Sequence, residues 1–352
     1  MRKPDDNSDY MSRRMDRELR RLERRITALY FNARTKTKAK LKKFLQIFER
    51  DRLTMLAKVA SGEITMADYQ QWARSRILQK AAYTALIKSL TKSLVDTDLA
   101  AMATVRGFLP YVISNSYNFV QALGWKYADE GGYSVGTFQI YNANTIQKMI
   151  KDNPRLLPKV DLPLDEQWNM DKINNEIMQG IIQGDNMDMI AERLQRVTGM
   201  DETAAIRNAR TAMTYAENLG RDESYIRLKE KGIPVKKKWS AILDERTRDT
   251  HRQLNGTFAN AQGLFGEGIL NVLLRCPADP RGEPQEIYNC RCREGIVFEN
   301  QIVDHSNDDD LYEQFMKQED PQSYEALKER GYFEEHSGKP QEPKKKKKEK
   351  GG

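Results

Sequence analysis

Apolar residues recur at intervals of three and four along most of the chain, which is the spacing of one face of an α-helix. From Met11 to Ala33 the spacing is nearly heptad, and it resumes at Leu41. It therefore predicts one long amphipathic helix over the first 60 residues, interrupted near Asn32–Thr37.

Residues 64–123 predict two further helices. Thr65 is suited to cap the first, and the second is expected to begin near Asp96 or Asp98 and to bend at Pro110. Glycines and prolines then interrupt residues 124–166, and aromatic and β-branched residues cluster at Tyr133–Tyr141. This composition predicts a short hairpin or extended loop followed by a linker.

The spacing of three and four returns over residues 166–232. Gly184 is expected to end one helix there, with Asp185 or Asn186 capping the next. Gly199 is expected to close that second helix and Asp201 to cap a third, whose alanines would permit close packing. Gly232 and Pro234 form a clear stop signal.

The segment from 235 to 298 changes character. It predicts a strand at Val235–Leu243, a short helix at Arg246–Leu254, Gly-rich and Pro-rich loops, and a second strand at Glu286–Phe298. Short helices are expected near Asp310–Lys317 and Gln322–Arg330. The predicted fold class is mainly α, with long N-terminal helices, a helical middle and a compact strand–loop–strand α+β module toward the C-terminus.

Five regions follow from these patterns. They are a basic helical region at 1–123, an extended or hairpin linker at 124–164, a globular domain at 165–298, an acidic helical segment at 299–338, and a disordered Lys-rich tail at 339–352.

The distribution of charge changes this picture more than the net value does. The 352-residue chain has a net charge of +7, yet residues 1–60 hold 18 Lys and Arg against 8 Asp and Glu, whereas residues 299–338 hold 3 against 12. Such segregation is typical of regions with different partners. No stretch approaches the roughly 18–20 apolar residues of a membrane span, and no signal peptide is visible.

A row of arginines occupies the polar face of the first predicted helix. Its members are Arg13, Arg14, Arg17, Arg20, Arg21, Arg24 and Arg25. A solvated helix face and a surface that contacts nucleic acid or an acidic protein are both compatible with this row. Phosphate contacts need cations in a row and no particular sequence, so double-stranded DNA is a candidate partner.

All three cysteines lie close together in the sequence. Cys290 and Cys292 form a CxC pair, Cys276 lies 14 residues upstream, and His251 lies 25 residues before that. These four side chains would provide a soft ligand set of the kind that zinc favours, although CxC is less diagnostic than CxxC. The alternative is that the cysteines are reduced and buried in a compact unit, without a cofactor.

A different metal site is the competing interpretation of the same segment. Asp244, Asp249 and His251 would hold a divalent ion that activates water, as in a metal-dependent nuclease or other hydrolase. Local ion pairs with neighbouring arginines and helix capping by Asp244 explain the carboxylates without catalysis. The sequence contains no phosphate-binding loop, nucleophile elbow or HExxH motif.

The pattern W-x4-D-x-R-T-R-x2-H-x2-L-x-G, followed by C-P-x-D-P and Y-N-C-R-C, resembles the phage Mu F-like minor head protein family. This is the head morphogenesis family that includes a minor capsid protein of phage SPP1. The resemblance covers about 165–298. The positions that match its motif include Trp239, Asp244, Arg246, Thr247, His251, Gly256, Asn289, Cys290 and Cys292.

The resemblance implies a bacteriophage minor capsid protein that acts in procapsid assembly. Family members associate with the portal, and some are tied to DNA packaging or ejection. The implied partners are the portal, the major capsid or scaffold proteins, and packaged DNA. The implied location is the virion, inside the head near the portal, after assembly in the host cytoplasm. No settled catalytic activity comes with the family.

Overall fold

The computed structural model of the protein describes residues 9–132, 136–142, 144, 146–148, 166–299, 307–329 and 332–333. The first part contains α1 (Tyr10–Gln46), α2 (Glu49–Ala60), α3 (Met66–Ala73), a π-helical turn (Arg74–Leu78), α4 (Ala81–Glu130), α5 (Glu166–Gln183) and α6 (Met187–Glu230). The second part contains β1 (Val235–Ser240), α7 (Asp249–Leu254), α8 (Pro284–Ile287), β2 (Arg293–Phe298), α9 (Asp308–Glu319) and α10 (Pro321–Glu329). The predicted fold class is confirmed.

Helix α1 is continuous across the stretch where an interruption was expected. Its buried stripe passes through Tyr30, Ala33, Thr37 and Leu41 without a change of phase. The hydroxyl of Thr37 donates a hydrogen bond to the carbonyl of Ala33 at 2.8 Å, so this polar side chain is satisfied inside the helix. The polar residues of 32–37 were therefore not a helix end, and α1 stops only at Gln46.

Helix α4 begins at Ala81, well before the predicted start at Asp96 or Asp98. Its buried positions keep the spacing of three and four from Tyr83 to Tyr127. Asp98 occupies one of these positions, buried and bonded to the Tyr30 hydroxyl, instead of capping a helix. Pro110 lies within α4 without ending it. The cap of α3 is as predicted, because Thr65 and Asp68 form a capping box.

Helix α6 runs through Gly199 and Asp201, where two helices were expected. A single glycine costs a helix only about 1 kcal/mol, and the buried stripe on either side of Gly199 stays in phase. Asp201 is a buried interior residue and not a cap. Other boundaries are as predicted: Gly184 follows α5 with a positive φ of 79°, and the Asn186 side chain accepts a hydrogen bond from the Met189 backbone N–H.

Helices α1, α4 and α6 pack against one another and form the centre of a continuous hydrophobic core. Helix α4 approaches α6 closely at Gly220, where a Cβ atom would lie 2.4 Å from the carbonyl oxygen of Ile113. The small residues of α6 therefore permit close helix packing, as expected. The core joins the predicted N-terminal region to the predicted C-terminal domain.

Strands β1 and β2 pair antiparallel, with Val235 opposite Phe298 and Ser240 opposite Arg293. Val235, Lys237 and Trp239 of β1 face inward. Lys237 is accommodated there because its ammonium group contacts the carboxylate of Asp222 and donates a hydrogen bond of 2.7 Å to the Arg275 carbonyl. The sheet lies against α6.

The acidic segment packs on the start of α1 and on α4. The Tyr312 ring of α9 contacts the rings of Tyr10 and Phe119, and Asp308 accepts a hydrogen bond from the Tyr10 backbone N–H at 3.4 Å. The acidic segment is therefore packed against the basic N-terminal helix of the same chain. The Lys-rich tail at 339–352 lies outside the described residues.

The predicted hairpin near Tyr133–Tyr141 falls partly outside the described residues, and the chain forms no strand at 136–142. The amide side chain of Asn118 on α4 instead pairs with the backbone of Tyr141, donating to its carbonyl and accepting from its N–H at 2.9 and 3.0 Å. The Tyr141 ring stacks on Tyr117. Helix α4 thus satisfies the backbone hydrogen bonds of Tyr141, which a neighbouring strand would otherwise provide. No helix of the described residues is long and apolar enough to span a membrane.

Candidate metal centre

The site is built around Trp239, whose side chain is completely buried on β1. Its backbone N–H donates to the carbonyl of Thr257 at 2.8 Å, and its carbonyl accepts from the N–H of Gly256 at 2.8 Å. Gly256 adopts a positive φ of 84°, which favours glycine and turns the chain back along the edge of β1. The strand is therefore held on both edges.

The loop after β1 is organised by Asp244. Its carboxylate accepts a hydrogen bond from the N–H of Arg246 at 3.0 Å and forms a bidentate pair with Arg291, both oxygens lying 2.6 Å from guanidinium nitrogens. These bonds, first among them those from Arg291, hold the pKa of Asp244 well below its usual range. The Thr247 hydroxyl accepts from the Asp244 backbone N–H at 3.0 Å. The motif residues Asp244, Arg246 and Thr247 thus fix the turn that leads into α7.

Helix α7 places His251 in the interior, where its ring packs edge-on against the Trp239 ring at 5.4 Å between centroids. The His251 side chain is 2% exposed. One ring nitrogen, Nδ1, points toward the two cysteines of the CxC pair. A histidine so enclosed is held in one orientation.

The loop that carries Cys290 and Cys292 is fastened to one face of α6. The Thr211 hydroxyl accepts from the Asn289 N–H at 3.1 Å, and the Thr214 hydroxyl donates to the Cys290 carbonyl at 3.0 Å. The Asn218 amide donates to the Cys292 carbonyl at 3.1 Å. Spacings of three and four place these three α6 residues on the same side of the helix.

The side chains of His251, Cys290 and Cys292 converge. Nδ1 of His251 lies 3.3 Å from Sγ of Cys292 and 3.8 Å from Sγ of Cys290, and the three ligand atoms are within 4.8 Å of one another. The hydrogen bond from Cys292, together with His251, lowers the pKa of the Cys290 thiol despite its burial. The cluster is a set of two sulfurs and one imidazole nitrogen that faces a common point.

The other ring nitrogen of His251 faces a carboxylate. Nε2 lies 3.0 Å from Oε2 of Glu286, and the same carboxylate oxygen accepts a hydrogen bond from the Thr250 hydroxyl at 2.9 Å. The two ring nitrogens of His251 therefore face different groups, Nε2 the carboxylate of Glu286 and Nδ1 the two sulfurs.

The family model described as phage Mu protein F like protein matches residues 171–294. Residues 171–294 therefore resemble a phage Mu F-like domain. The match contains the three converging side chains and the α6 residues that anchor them, and it confirms the resemblance expected from the sequence motifs.

Curated proteins extend the likeness beyond the Mu F-like domain. The chain is 24% identical over 302 residues to the minor head protein GP7 of Bacillus phage SPP1, which covers 84% of this chain and 88% of that protein. It is 31% identical over 122 residues to an NAD(+)–arginine ADP-ribosyltransferase of Enterococcus faecalis, covering 34% of this chain and 24% of that protein. No solved structure matches the chain.

A third relative is an uncharacterized protein of Haemophilus influenzae. The two are 31% identical over 143 residues, which is 39% of this chain and 27% of that protein. The chain thus spans about a quarter of the length of the second and third relatives. Because most of the ADP-ribosyltransferase lies outside the match, its name carries no activity over to this chain.

Cys276, the fourth predicted metal ligand, does not join the cluster in the Mu F-like domain. It is buried beside Lys237, Asp222 and Glu294, and burial is the first cause that raises the pKa of its thiol. The Pro277 carbonyl that follows it accepts a hydrogen bond from Asn218 at 3.2 Å. This hydrogen bond places the Cys276 turn on α6, outside the group formed by His251, Cys290 and Cys292.

Asp244, Asp249 and His251 are not brought together as a hydrolytic site. Both carboxylate oxygens of Asp244 are engaged by Arg291, and Asp249 is exposed on the first turn of α7. Among the described residues, the group able to hold a metal ion is that of His251 with Cys290 and Cys292. The geometry thus does not favour the nuclease alternative.

The seven arginines of α1 do not form one exposed row. Arg14 is 2% exposed, and its guanidinium lies 3.6 Å from the centre of the Tyr332 ring, so its place on the solvent face was wrongly predicted. Arg13 and Arg17 are half-buried. The acidic segment covers this first turn, and the exposed members are Arg20, Arg21, Arg24 and Arg25.

Sequence reasoning missed Glu286, whose carboxylate faces His251, and Thr214 and Asn218, which bond the backbone of the cysteine loop. The spacing of Thr211, Thr214 and Asn218 on one helix face was the available signal for two of them. Glu286 had none, because it lies 35 residues after His251 and was placed in the predicted second strand, where the structure has α8.

Proposed function

We propose that this protein is a bacteriophage minor head protein that acts in head morphogenesis and associates with the portal during procapsid assembly. The observation that carries the proposal is the similarity to the SPP1 minor head protein, which extends over 88% of that protein. A match of this extent supports a role in head morphogenesis and a virion-associated location.

The packing of the chain supports a transfer of function from the whole relative and not from one domain. The match covers 84% of this chain, so it includes helices outside residues 171–294. Those helices share a continuous core with the Mu F-like domain, in which α1 and α4 both contact α6. The similarity therefore concerns one integrated body.

Portal association is tested by affinity purification of the tagged full-length protein from induced cells, followed by mass spectrometry for portal, scaffold and major capsid proteins. The lysate is split, and one half is treated with a nuclease before capture. We expect the portal to be recovered in both halves, because a contact between proteins does not depend on DNA as a bridge.

The same protein is then sought in purified procapsids and mature particles. Its absence from particles, together with failure to recover the portal, would refute the proposal. Recovery of the portal only in the untreated half would refute direct association and leave DNA as the bridge.

A contact with packaged DNA is a second part of the proposal, and the exposed arginines of α1 are the observation that favours it. Arg20 and Arg24, and likewise Arg21 and Arg25, are four residues apart, so the four project from adjoining strips of one helix surface. Such a surface suits a polyanion that is bound through its phosphates.

A further inference from the structure

The Mu F-like domain contains a buried group of soft ligands that a structural role in the phage head does not require. Cys290 is 1% exposed, Cys292 is 3% exposed and His251 is 2% exposed. Buried cysteines are common, but two thiols and an imidazole that point at one another from separate segments are less readily explained by packing alone. Each of these three side chains has the other two as its neighbours.

The distances within the group fit a tetrahedral metal ion. A sulfur and a nitrogen bound to the same zinc ion, at about 2.3 and 2.0 Å from it, lie roughly 3.5 Å apart. The two observed distances from His251 Nδ1 to sulfur, 3.3 and 3.8 Å, bracket this value. Thiolate and imidazole ligands select zinc over the hard cations magnesium and calcium.

Glu286 completes the arrangement from the far side of the ring. Metal-ligating histidines commonly donate their other N–H to a carboxylate, which fixes the ring and raises its basicity. Nε2 of His251 has such a carboxylate at 3.0 Å, and Thr250 holds that carboxylate in place. Nδ1 of His251 is thus available to the metal, while Nε2 faces the carboxylate that orients the ring.

We propose that His251, Cys290 and Cys292 bind one zinc ion and that Glu286 positions His251 for it. The ion would join α7 to the loop before β2, two segments separated by 39 residues between His251 and Cys290. A tetrahedral ion with three protein ligands has one further position, for water or another donor. The ion would therefore stabilise the small sheet module by cross-linking these two segments.

A nucleophilic cysteine activated by His251 and Glu286 is the competing interpretation of the same geometry. A nucleophile must touch its substrate, and both thiols of the pair are almost completely buried. Burial does not hinder a metal site, because its ligands need to contact only the ion. The accessibility of the sulfurs therefore favours the metal.

The first test uses the full-length wild-type protein. Zinc is measured by elemental mass spectrometry after purification under reducing conditions without chelator, and the reduced apoprotein is then titrated with cobalt(II). We expect about one zinc per chain, and with cobalt a sulfur-to-metal charge-transfer band with the intense visible bands of tetrahedral coordination. A reduced protein that takes up neither metal would overturn the proposal.

Cysteine variants then assign the ligands. Cys290→Ser and Cys292→Ser should each lose zinc and the cobalt bands, whereas Cys276→Ser is the matched control and should retain both, because Cys276 is buried outside the group. Loss of zinc in Cys276→Ser with a native circular dichroism spectrum would overturn the three-residue assignment. If a ligand variant fails to fold, the cobalt spectrum of the wild type still decides whether thiolates bind.

Glu286→Gln tests the positioning residue separately. The variant keeps all three ligands, so we expect the same zinc stoichiometry at saturation and the same cobalt bands, with zinc affinity lowered by about 10- to 100-fold. An affinity equal to that of the wild type would remove Glu286 from the proposal. Rapid modification of Cys290 by iodoacetamide in the native, zinc-treated protein would instead support a reactive thiol and overturn the metal site.

Discussion

The guanidinium of Arg221 donates hydrogen bonds to both carboxylate oxygens of Asp9, at 2.7 and 2.9 Å. Asp9 caps α1, accepting a hydrogen bond from the Ser12 backbone N–H, while Arg221 lies 1% exposed on α6. Burial alone would raise the pKa of Asp9, but Arg221 holds it well below its usual range. One buried ion pair therefore ties the start of the N-terminal helix to the Mu F-like domain.

Replacing Arg221 should destabilise the whole chain. Arg221→Ala would leave the largely buried carboxylate of Asp9 without its cation, and removing one partner of a buried pair costs about 3–5 kcal/mol. The free energy of unfolding, measured by urea denaturation, reports this loss. Arg227→Ala on the same helix is the control, since its pair with Glu230 is exposed and should matter by less than about 1 kcal/mol. Equal losses in the two variants would contradict the role of Asp9.

Two glycines of α6 should respond in opposite directions to alanine. At Gly220 a new Cβ would meet the backbone carbonyl of Ile113 at 2.4 Å, so α4 and α6 must separate, and we expect a loss of about 1–3 kcal/mol. At Gly199 nothing lies within 4 Å of the new Cβ, and better helix propensity should add about 1 kcal/mol.

Thermal unfolding of the two glycine variants provides the measurement. A higher midpoint for Gly199→Ala and a lower one for Gly220→Ala are expected. Stabilisation by Gly220→Ala would show that the two helices are not in close contact at this point.

Gly199 also shows which part of the fold was predictable from the sequence. A buried stripe that repeats every three or four residues identified the long helices, but it continued across the break that separates α1 from α2 after Gln46. Alternation identified both strands, although β2 begins at Arg293 and not at Glu286. Boundaries placed at Gly199, Asp98 and Asp201 were wrong, because a capping residue type was given more weight than the unbroken phase of the stripe around it. The polar side chains of Asp98 and Asp201 are buried, and only the tertiary structure shows this.

The candidate site was likewise predictable only in part from the sequence. The CxC spacing pointed to Cys290 and Cys292, and His251 was the histidine near them in the sequence, so the three ligands were accessible to sequence reasoning. Cys276 was added to them because it is close in the chain, yet the turn it occupies is attached to a different part of α6. The partner of His251, Glu286, depends on a loop path that no local pattern encodes.

Stability should fall as pH rises through the range in which two buried aspartates ionise. Burial raises the pKa of Asp98 to about 6, and burial together with the charge of Asp98 raises that of Asp201 to about 7. The folded state therefore favours the protonated carboxyls. Their contribution is fully present below the ordinary value of 3.8 and is lost as pH rises through about 6 and 7.

Asp201→Asn removes one of these ionisations. We expect the variant to match the wild type near about pH 4 and to be more stable by on the order of 1–3 kcal/mol near about pH 8. Urea denaturation across this range is the measurement, with Asp96→Asn, an exposed position of α4, as the control. A difference between Asp201→Asn and the wild type that does not grow with pH would refute the assignment.

The exposed arginines of α1 should give DNA binding a measurable salt dependence. Changing Arg20, Arg21, Arg24 and Arg25 to Ala would remove up to four phosphate contacts, so the slope of log affinity against log salt should become less steep by roughly 3–4. Fluorescence anisotropy with a double-stranded fragment measures this slope. The control variant removes the same charge from exposed residues elsewhere: Arg74, Arg76, Lys80 and Lys88. Equal effects of the two variants would mean that DNA responds to net charge alone, and an unchanged slope in the α1 variant would remove α1 from the DNA contact.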